Sequence, residues 1–266
     1  MDIRKTTILV KGGGDLGSGV AWKLYRSGLK VAVVDLPSPM CIRREVSFSS
    51  ALYQETISVD GVKGKRGRAL PDFTEDFVPV FTTEDKKILS AFKPDVLVDA
   101  TLKAIDNPTT SKNDAPLTIG LGPGFKAPEN IDCIIETNRG HNLGRVIREG
   151  EAEPYVPVPG NIDGHTTDRI LRAPAEGKFK PLKQIGDRVK KNELIGWVSR
   201  QEVRSGVSGI IRGLIMDGFH VKKELKIGDV DPRGKKEYAS TVSDKARAIG
   251  GGVLEAVLHW ALNENE

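Results

Sequence analysis

The sequence predicts an α/β protein: a Rossmann-like doubly wound parallel sheet, then a small all-β barrel-sandwich module of the biotinyl/lipoyl kind, and a C-terminal helix. Three observations carry this. Short apolar runs alternate with helical stretches over residues 6–145, the pattern of strands joined by crossovers. A glycine-rich stretch, KGGGDLGSG at residues 11–19, stands between the first such run and the first helical stretch. A repeat at an offset of 32 residues fills residues 172–230 with short apolar runs and glycine turns.

Taken in order, residues 6–10 read as a buried strand. Residues 17–27 read as a helix with Val20, Ala21 and Leu24 inward, stopped by Gly28. Residues 30–35 are the next strand, and a less regular segment follows. Strands at 77–81, 95–100, 117–121 and 133–136, with a helix at 84–92 behind a Thr83 cap, complete the set. The polar stretch 103–116 makes one crossover a loop. Residues 1–150 therefore form a nucleotide- or cofactor-binding domain. Residues 151–170, with Pro154, Pro157 and Pro159, read as a connection.

In the repeat, residues 172–198 align with 204–230, and ten of 27 positions are identical, among them Gly177/Gly209, Gly186/Gly218, Val189/Val221 and Ile195/Ile227. Neither half is large enough to bury a core alone, so the module at 171–232 requires both, packed face to face. Carriers of this type hold a modified lysine on the link between the halves. Here residues 199–203 read SRQEV, without lysine, which leaves a structural or docking role. Residues 233–266 end in a helix over 243–263 that Ser243 caps and that packs back on the first domain. Gly250, Gly251 and Gly252 each cost about 1 kcal/mol against alanine in a helix interior, so they belong where backbone or ligand approaches closely.

The 266 residues carry a formal charge of only +4, and no apolar run approaches the roughly 20 residues of a membrane span. A cytoplasmic protein without membrane partners is expected. The basic cluster at 63–68 lacks interleaved aromatics and reads as a solvated loop rather than a nucleic-acid surface. Cys41 and Cys133 form no CxxC pair and have no flanking signature of a reactive thiol. No HxH or HExxH pattern points to a metal.

Gly12, Gly14 and Gly17 satisfy G-x-G-x-x-G between strand and helix. The first permits a tight turn, the second lets phosphate approach the backbone, and the third allows close helix–sheet packing. With Gly13, Asp15 and Leu16 they form a candidate phosphate cradle at a helix N-terminus. Asp35 ends the second strand, where a carboxylate can accept from a ribose diol. Arg43 and Arg44 follow and either neutralise phosphate or lie as surface arginines. Asp99, the Gly122–Pro123–Gly124 turn and the run Glu136, Thr137, Asn138, Arg139, Gly140, His141 also follow strands. Strand ends of a parallel sheet share one edge, so these groups are candidates for a single crevice, the alternative for each being a plain polar turn. Glu136 and His141 are candidate proton-handling groups there.

The stretches GGGDLGSGVAWKLYRSG, RREVSFSSALY, APLTIGLGPGF, ETNRGHNLGRVI, GDVDPR and SDKARAIGGGVLEA together resemble the YqeB family, accessory proteins of selenium-dependent molybdenum hydroxylases, over nearly the whole chain. The resemblance implies a role in maturing the molybdenum cofactor or in inserting labile selenium. The implied ligand is the molybdenum pterin cofactor or its cytidine dinucleotide form, with NAD as the alternative. The implied partners are a hydroxylase apoprotein or other maturation factors, and self-association as a homo-oligomer is compatible with it. Two other readings stand beside this one. In the first, an NAD-dependent oxidoreductase uses His141 as acid/base, although no Tyr-x-x-x-Lys accompanies the glycine motif. In the second, a non-catalytic scaffold docks a partner through the barrel-sandwich module.

Overall fold

A computed structural model describes residues 3–102, 109–156 and 158–263. The chain divides into two compact units. The first comprises the described residues of 1–39, 47–156 and 242–266, and the second those of 40–46 and 157–241.

The first unit is built on a nine-stranded sheet. Its strands are β1 (Thr7–Lys11), β2 (Lys30–Asp35), β3 (Thr56–Val59), β4 (Val62–Arg66), β5 (Val78–Thr82), β6 (Val96–Asp99), β7 (Leu117–Leu121), β8 (Cys133–Ile135) and β9 (Val146–Ile147). Their order is β3-β4-β5-β2-β1-β6-β7-β8-β9. All pairings from β4 to β8 are parallel, and only the outer strands β3 and β9 run antiparallel to their neighbours. The central strands are apolar on both faces, as a sheet covered from both sides requires.

On one face Leu9, Ala32, Val34, Phe81 and Leu97 form a buried cluster with Phe92 and, from helix α3 (Lys86–Ala91; the four-residue turn Ala51–Gln54 is α2), Ile88 and Leu89. This helix starts later than its sequence suggests. Asp85, not Thr83, stands at its N-cap, and the Asp85 carboxylate turns to the Arg66 guanidinium at 2.8 and 3.0 Å and to the Thr82 amide at 2.7 Å. Helix α1 (Asp15–Arg26) follows β1 and buries Val20, Ala21 and Leu24. Beside it lies α4 (Asp244–Asn263), which also packs on β7, β8 and β9. Ser243 caps α4 through the Ala246 amide at 3.2 Å. The fit between α1 and α4 depends on missing side chains: a Cβ on Gly19 would lie 2.5 Å from the Ala246 Cβ, and one on Gly250 3.0 Å from the Gly19 carbonyl oxygen. On another side of α4, a Cβ on Gly252 would lie 2.1 Å from the carbonyl oxygen of Gly144 in the loop before β9. No helix or strand occupies the described residues 109–116 between β6 and β7, and residues 103–108 of the expected crossover loop lie outside the described set.

The second unit contains β10 (Ile170–Arg172), β11 (Gly177–Pro181), β12 (Arg188–Val189), β13 (Leu194–Val198), β14 (Gln201–Arg204), β15 (Gly209–Leu214), β16 (His220–Val221) and β17 (Lys226–Asp231). They form two four-stranded sheets, β10-β17-β15-β12 and β14-β13-β11-β16. Shifting each strand by one repeat turns the first order into the second, so each sheet draws strands from both halves. The equivalence reaches single hydrogen bonds. The Ala173 amide donates to Leu225 O and the Ser205 amide to Glu193 O, both at 2.9 Å, and Asn192 and Glu224 share a left-handed backbone at φ 68° and 67°. Between the sheets lie Phe179 and Ile211, Val189 and Val221, Ile195 and Ile227, Val198 and Val230, all equivalent pairs.

The segment placed at 151–170 as a connection is divided. Residues 158–170 belong to this unit, with a short 3-10 turn at Thr167–Arg169, and residues up to 156 belong to the first. Residues 233–241 also stay with the second unit, so only α4 returns to the first. Residues 40–46 join it because the Leu214 amide pairs with Ile42 O at 2.8 Å.

Near the end of β17, burial raises the Asp231 carboxyl, but hydrogen bonds from the Arg233 side chain and amide, with the charges of Arg233 and Arg212, leave it below the ordinary 3.8. A carboxyl lowered in the folded state stabilises fully above its unfolded value, and that stability is lost as pH falls through the folded value. Arg233→Gln is therefore expected to move acid unfolding of this unit, followed by circular dichroism below pH about 4, to higher pH. An unchanged acid transition would remove Asp231 from that balance.

Candidate functional site

The strand order runs outward from β1 in both directions, through β2 and β5 on one side and through β6, β7 and β8 on the other. At the carboxyl edge the winding reverses between β1 and β6, and Gly12 follows β1 at that reversal. Its φ is 95°, and a Cβ there would lie 3.0 Å from the Ala100 backbone. Gly17 presses on the same turn, since a Cβ there would lie 1.9 Å from Gly12 O. Gly13 is held by three neighbours. Its amide donates to Asp35 Oδ2 at 2.8 Å, and its carbonyl accepts from Ser18 Oγ at 2.8 Å and the Ser49 amide at 3.1 Å. Gly14 is different. It is the N-cap of α1, with φ −72°, and a Cβ there would meet nothing within 4 Å. Beyond it Asp15 and Leu16 are half-buried at the start of the helix, where first-turn amides lack intrahelical acceptors.

Because β2, β6, β7 and β8 run parallel to β1, the groups following them reach the same edge. Three strand-end carboxylates there accept hydrogen bonds from the loops of this unit. Asp35 accepts from the Gly13 amide, Ser49 Oγ at 2.5 Å and the Leu36 amide at 2.7 Å. The bonds from Gly13 and Ser49 both fall on Oδ2, so Asp35 fastens the glycine turn. Asp99, buried, accepts from the Thr101 amide and hydroxyl and from Thr110 Oγ1 at 2.7 Å. Lys11 Nζ donates to Thr109 and Thr110, tying the same segment to β1. Glu136, also buried, accepts from the Asn138 amide at 2.6 Å and the Glu153 amide at 2.7 Å. These bonds give it a loop-shaping role.

The rest of the loop after β8 is similarly braced. Asn138 and Asn142 donate to Glu153 at 3.0 and 2.8 Å and hold its carboxyl below the usual range. Thr137 is buried against Gly122, whose φ is 73°, and Gly124 and Gly140 also have left-handed backbones, at 105° and 151°. Arg139 makes a two-pronged pair with Asp244 on the first turn of α4, at 2.8 and 3.0 Å. His141 is exposed. Arg43 and Arg44 lie in the second unit and leave the first unit's residue set. Arg43 is buried there and donates to the Tyr238 and Thr241 carbonyls, and Arg44 donates to Leu214 O. The physical reason is the pairing of residues 40–46 with β15, which adjacency to β2 does not reveal.

One further residue of this unit, within the SDKARAIGGGVLEA stretch, bears on the site. Lys245, half-buried on the first turn of α4, is surrounded by Asp15, Glu136, Arg139 and Asp244. Burial and the Arg139 charge lower its ammonium below the ordinary 10.5, against the opposing pull of the three carboxylates. Two concavities lie elsewhere in this unit: about 450 Å³ among Lys65, Arg68, Leu70, Phe73 and Phe77, and about 290 Å³ among Cys133, Arg148, His259 and Trp260. Burial pushes the Cys133 thiol up to about 12, so it holds almost no thiolate near neutrality, and Cys41 is buried as well. Among the described residues, no three His, Cys, Asp or Glu side chains are grouped to hold a metal, and no helix is long and apolar enough to cross a membrane.

The fold and this edge define a mixed α/β protein: a large, mainly parallel sheet bearing a glycine-rich turn, two smaller antiparallel sheets and a C-terminal helix. Compared with known proteins, the chain is 43% identical over 255 residues to the uncharacterized protein YqeB of Escherichia coli (strain K12), covering 94% of this chain and 47% of that one. That identity supports membership of the YqeB family, and the chain spans about half the length of this curated relative. No family model matches. Among solved structures, an aspartoacylase family protein from Mesorhizobium loti aligns at 11% identity and a TM-score of 0.27, covering 85% of each chain. A succinylglutamate desuccinylase/aspartoacylase from Rhodobacter sphaeroides aligns at 16% identity and 0.26, again covering 85% of each chain. Similarities this low carry no argument about fold or activity.

Proposed function

We propose that the first unit is a Rossmann-like domain that binds a phosphate-bearing ligand, a pterin cofactor or nucleotide, at the carboxyl edge between β1 and β6. The chain serves on this reading as an accessory protein in the maturation of selenium-dependent molybdenum hydroxylases. The observation that carries the ligand half is the strand order β5-β2-β1-β6-β7-β8 with the glycine turn at its reversal point. That order is the doubly wound one in which ligands sit outside the strand ends where the winding changes direction. The turn also presents the N-terminus of α1, which favours anions. With the three strand-end carboxylates engaged in bracing turns and loops, peptide amides and cations are the groups left to meet a ligand. The maturation half rests on the motifs shared with the YqeB family. The second unit, a barrel-sandwich-like module without a carrier lysine, is the docking surface for a hydroxylase apoprotein or another maturation factor.

Mild purification followed by denaturation tests the ligand directly. The released molecule is expected to show pterin or cytidine absorbance and a phosphate-containing mass. A released nicotinamide would replace this reading with the NAD-dependent one. A protein that releases nothing and binds neither CTP, NAD nor pyrophosphate in calorimetry would overturn ligand binding altogether.

A further inference from the structure

We propose that Lys245 is the cation that meets the ligand's phosphate across the crevice from the glycine turn, a role no motif assigns to it. This deepens the ligand reading above and rests on it. The placement follows from packing. Ala246 lies against Gly19 on α1, so the preceding lysine is carried to the start of that helix. Three elements converge there: α1 with Asp15, the loop after β8 with Glu136 and Arg139, and α4 with Asp244 and Lys245.

The charges of this group are unevenly paired. Asp244 is bound on both oxygens by Arg139, and both oxygens of Glu136 accept backbone amides. Among the described residues, no hydrogen bond and no ion pair within 4 Å holds the Lys245 ammonium. A half-buried cation in that condition carries a desolvation cost that an arriving anion removes. Its lowered proton affinity is the sign of that cost. A phosphate on the α1 N-terminus would be met by peptide amides from one side and by an ammonium from the other, the same division of labour by which glycine turns and a lysine hold phosphates elsewhere. Arg139 acts here as a positioning residue: by occupying Asp244 it keeps that carboxylate from closing on Lys245.

The test uses the full chain and inorganic pyrophosphate, titrated by calorimetry into wild type, Lys245→Met, Lys245→Arg and Gly14→Val. Affinity is expected to fall about 10- to 100-fold in Lys245→Met and to be partly kept in Lys245→Arg. If Lys245→Met binds as wild type does while Gly14→Val does not, Lys245 is out of the site and the crevice reading stands. If wild type does not bind pyrophosphate, the Lys245 assignment fails, and the ligand reading is then decided by the released molecule, CTP and NAD. Should Lys245→Met not fold, trace acetylation of wild type read by mass spectrometry decides. Shielding of Lys245 by pyrophosphate is the expected result, and reactivity indifferent to pyrophosphate overturns the assignment.

Discussion

Gly17→Ala is expected to destabilise the first unit by about 3 kcal/mol, the upper part of the range for forcing atoms into a packed interior. The added Cβ would sit 1.9 Å from Gly12 O and 3.0 Å from the Ala100 Cβ. A backbone oxygen cannot rotate away as a side chain does, so the whole turn or the start of α1 must move. Gly14→Ala, three residues earlier, should cost far less: its φ of −72° suits alanine and its Cβ would meet nothing within 4 Å, so the gain of about 0.4–1 kcal/mol from reduced freedom of the unfolded chain offsets the loss of a glycine N-cap. Urea denaturation of the two variants checks the contrast. Equal midpoints would mean that Gly17 is not a packing glycine, and the description of the turn would fall with it.

Phe179→Ala should be the costliest change in the second unit, about 3–5 kcal/mol. Phe179 is fully buried between the two sheets and has no polar atom to recover by exposure. Its counterpart one repeat later, Ile211, is equally buried, and Ile211→Ala should cost about 2–5 kcal/mol. The two side chains occupy equivalent positions on strands from opposite sheets, so each truncation opens the same layer from the other side. Guanidinium unfolding followed at Trp197, on β13, reads this unit. A loss under 1 kcal/mol for Phe179→Ala would show that the sheets do not close over it.

Much of this architecture was legible because the signals were local. β1 and β2 are unbroken apolar runs, and the repeat places β11, β12 and β13 over β15, β16 and β17 at a constant offset. The β3–β4 hairpin was missed although Asp60–Gly61 announces it. Both residues have positive φ, 45° and 82°, as a two-residue hairpin turn demands. The flanking strands hid it, because exposed Lys63 and Lys65 at the sheet margin break the apolar pattern. In the candidate site, sequence position located Asp35, Asp99 and Glu136 at strand ends but not the direction in which they turn. A carboxylate there can face a ligand or fasten its own loop, and that choice depends on amides such as those of Gly13 and Glu153 that folding brings close. Arg43 and Arg44 follow β2 in sequence, and their bonds to the Tyr238, Thr241 and Leu214 carbonyls are equally invisible there. Lys245 stands in the SDKARAIGGGVLEA stretch, where Ser243, Asp244 and Lys245 read as a polar surface turn, since Asp15 and Glu136 come from distant parts of the chain.

The return of α4 to the first unit fixes an order of events during synthesis. Domains generally fold as units, earlier ones first, as the chain emerges. Here the nine strands of the first sheet are made before the second unit, yet the helix that covers β7, β8 and β9 is made after it. The second unit's strands are all available once Thr241 has left the ribosome. The nascent first unit must hold its sheet with α1 in place and the surface over β7, β8 and β9 uncovered for that whole interval. Its completion is thus a late step, gated by the emergence of a single helix whose glycines admit close packing on α1 and on the loop before β9.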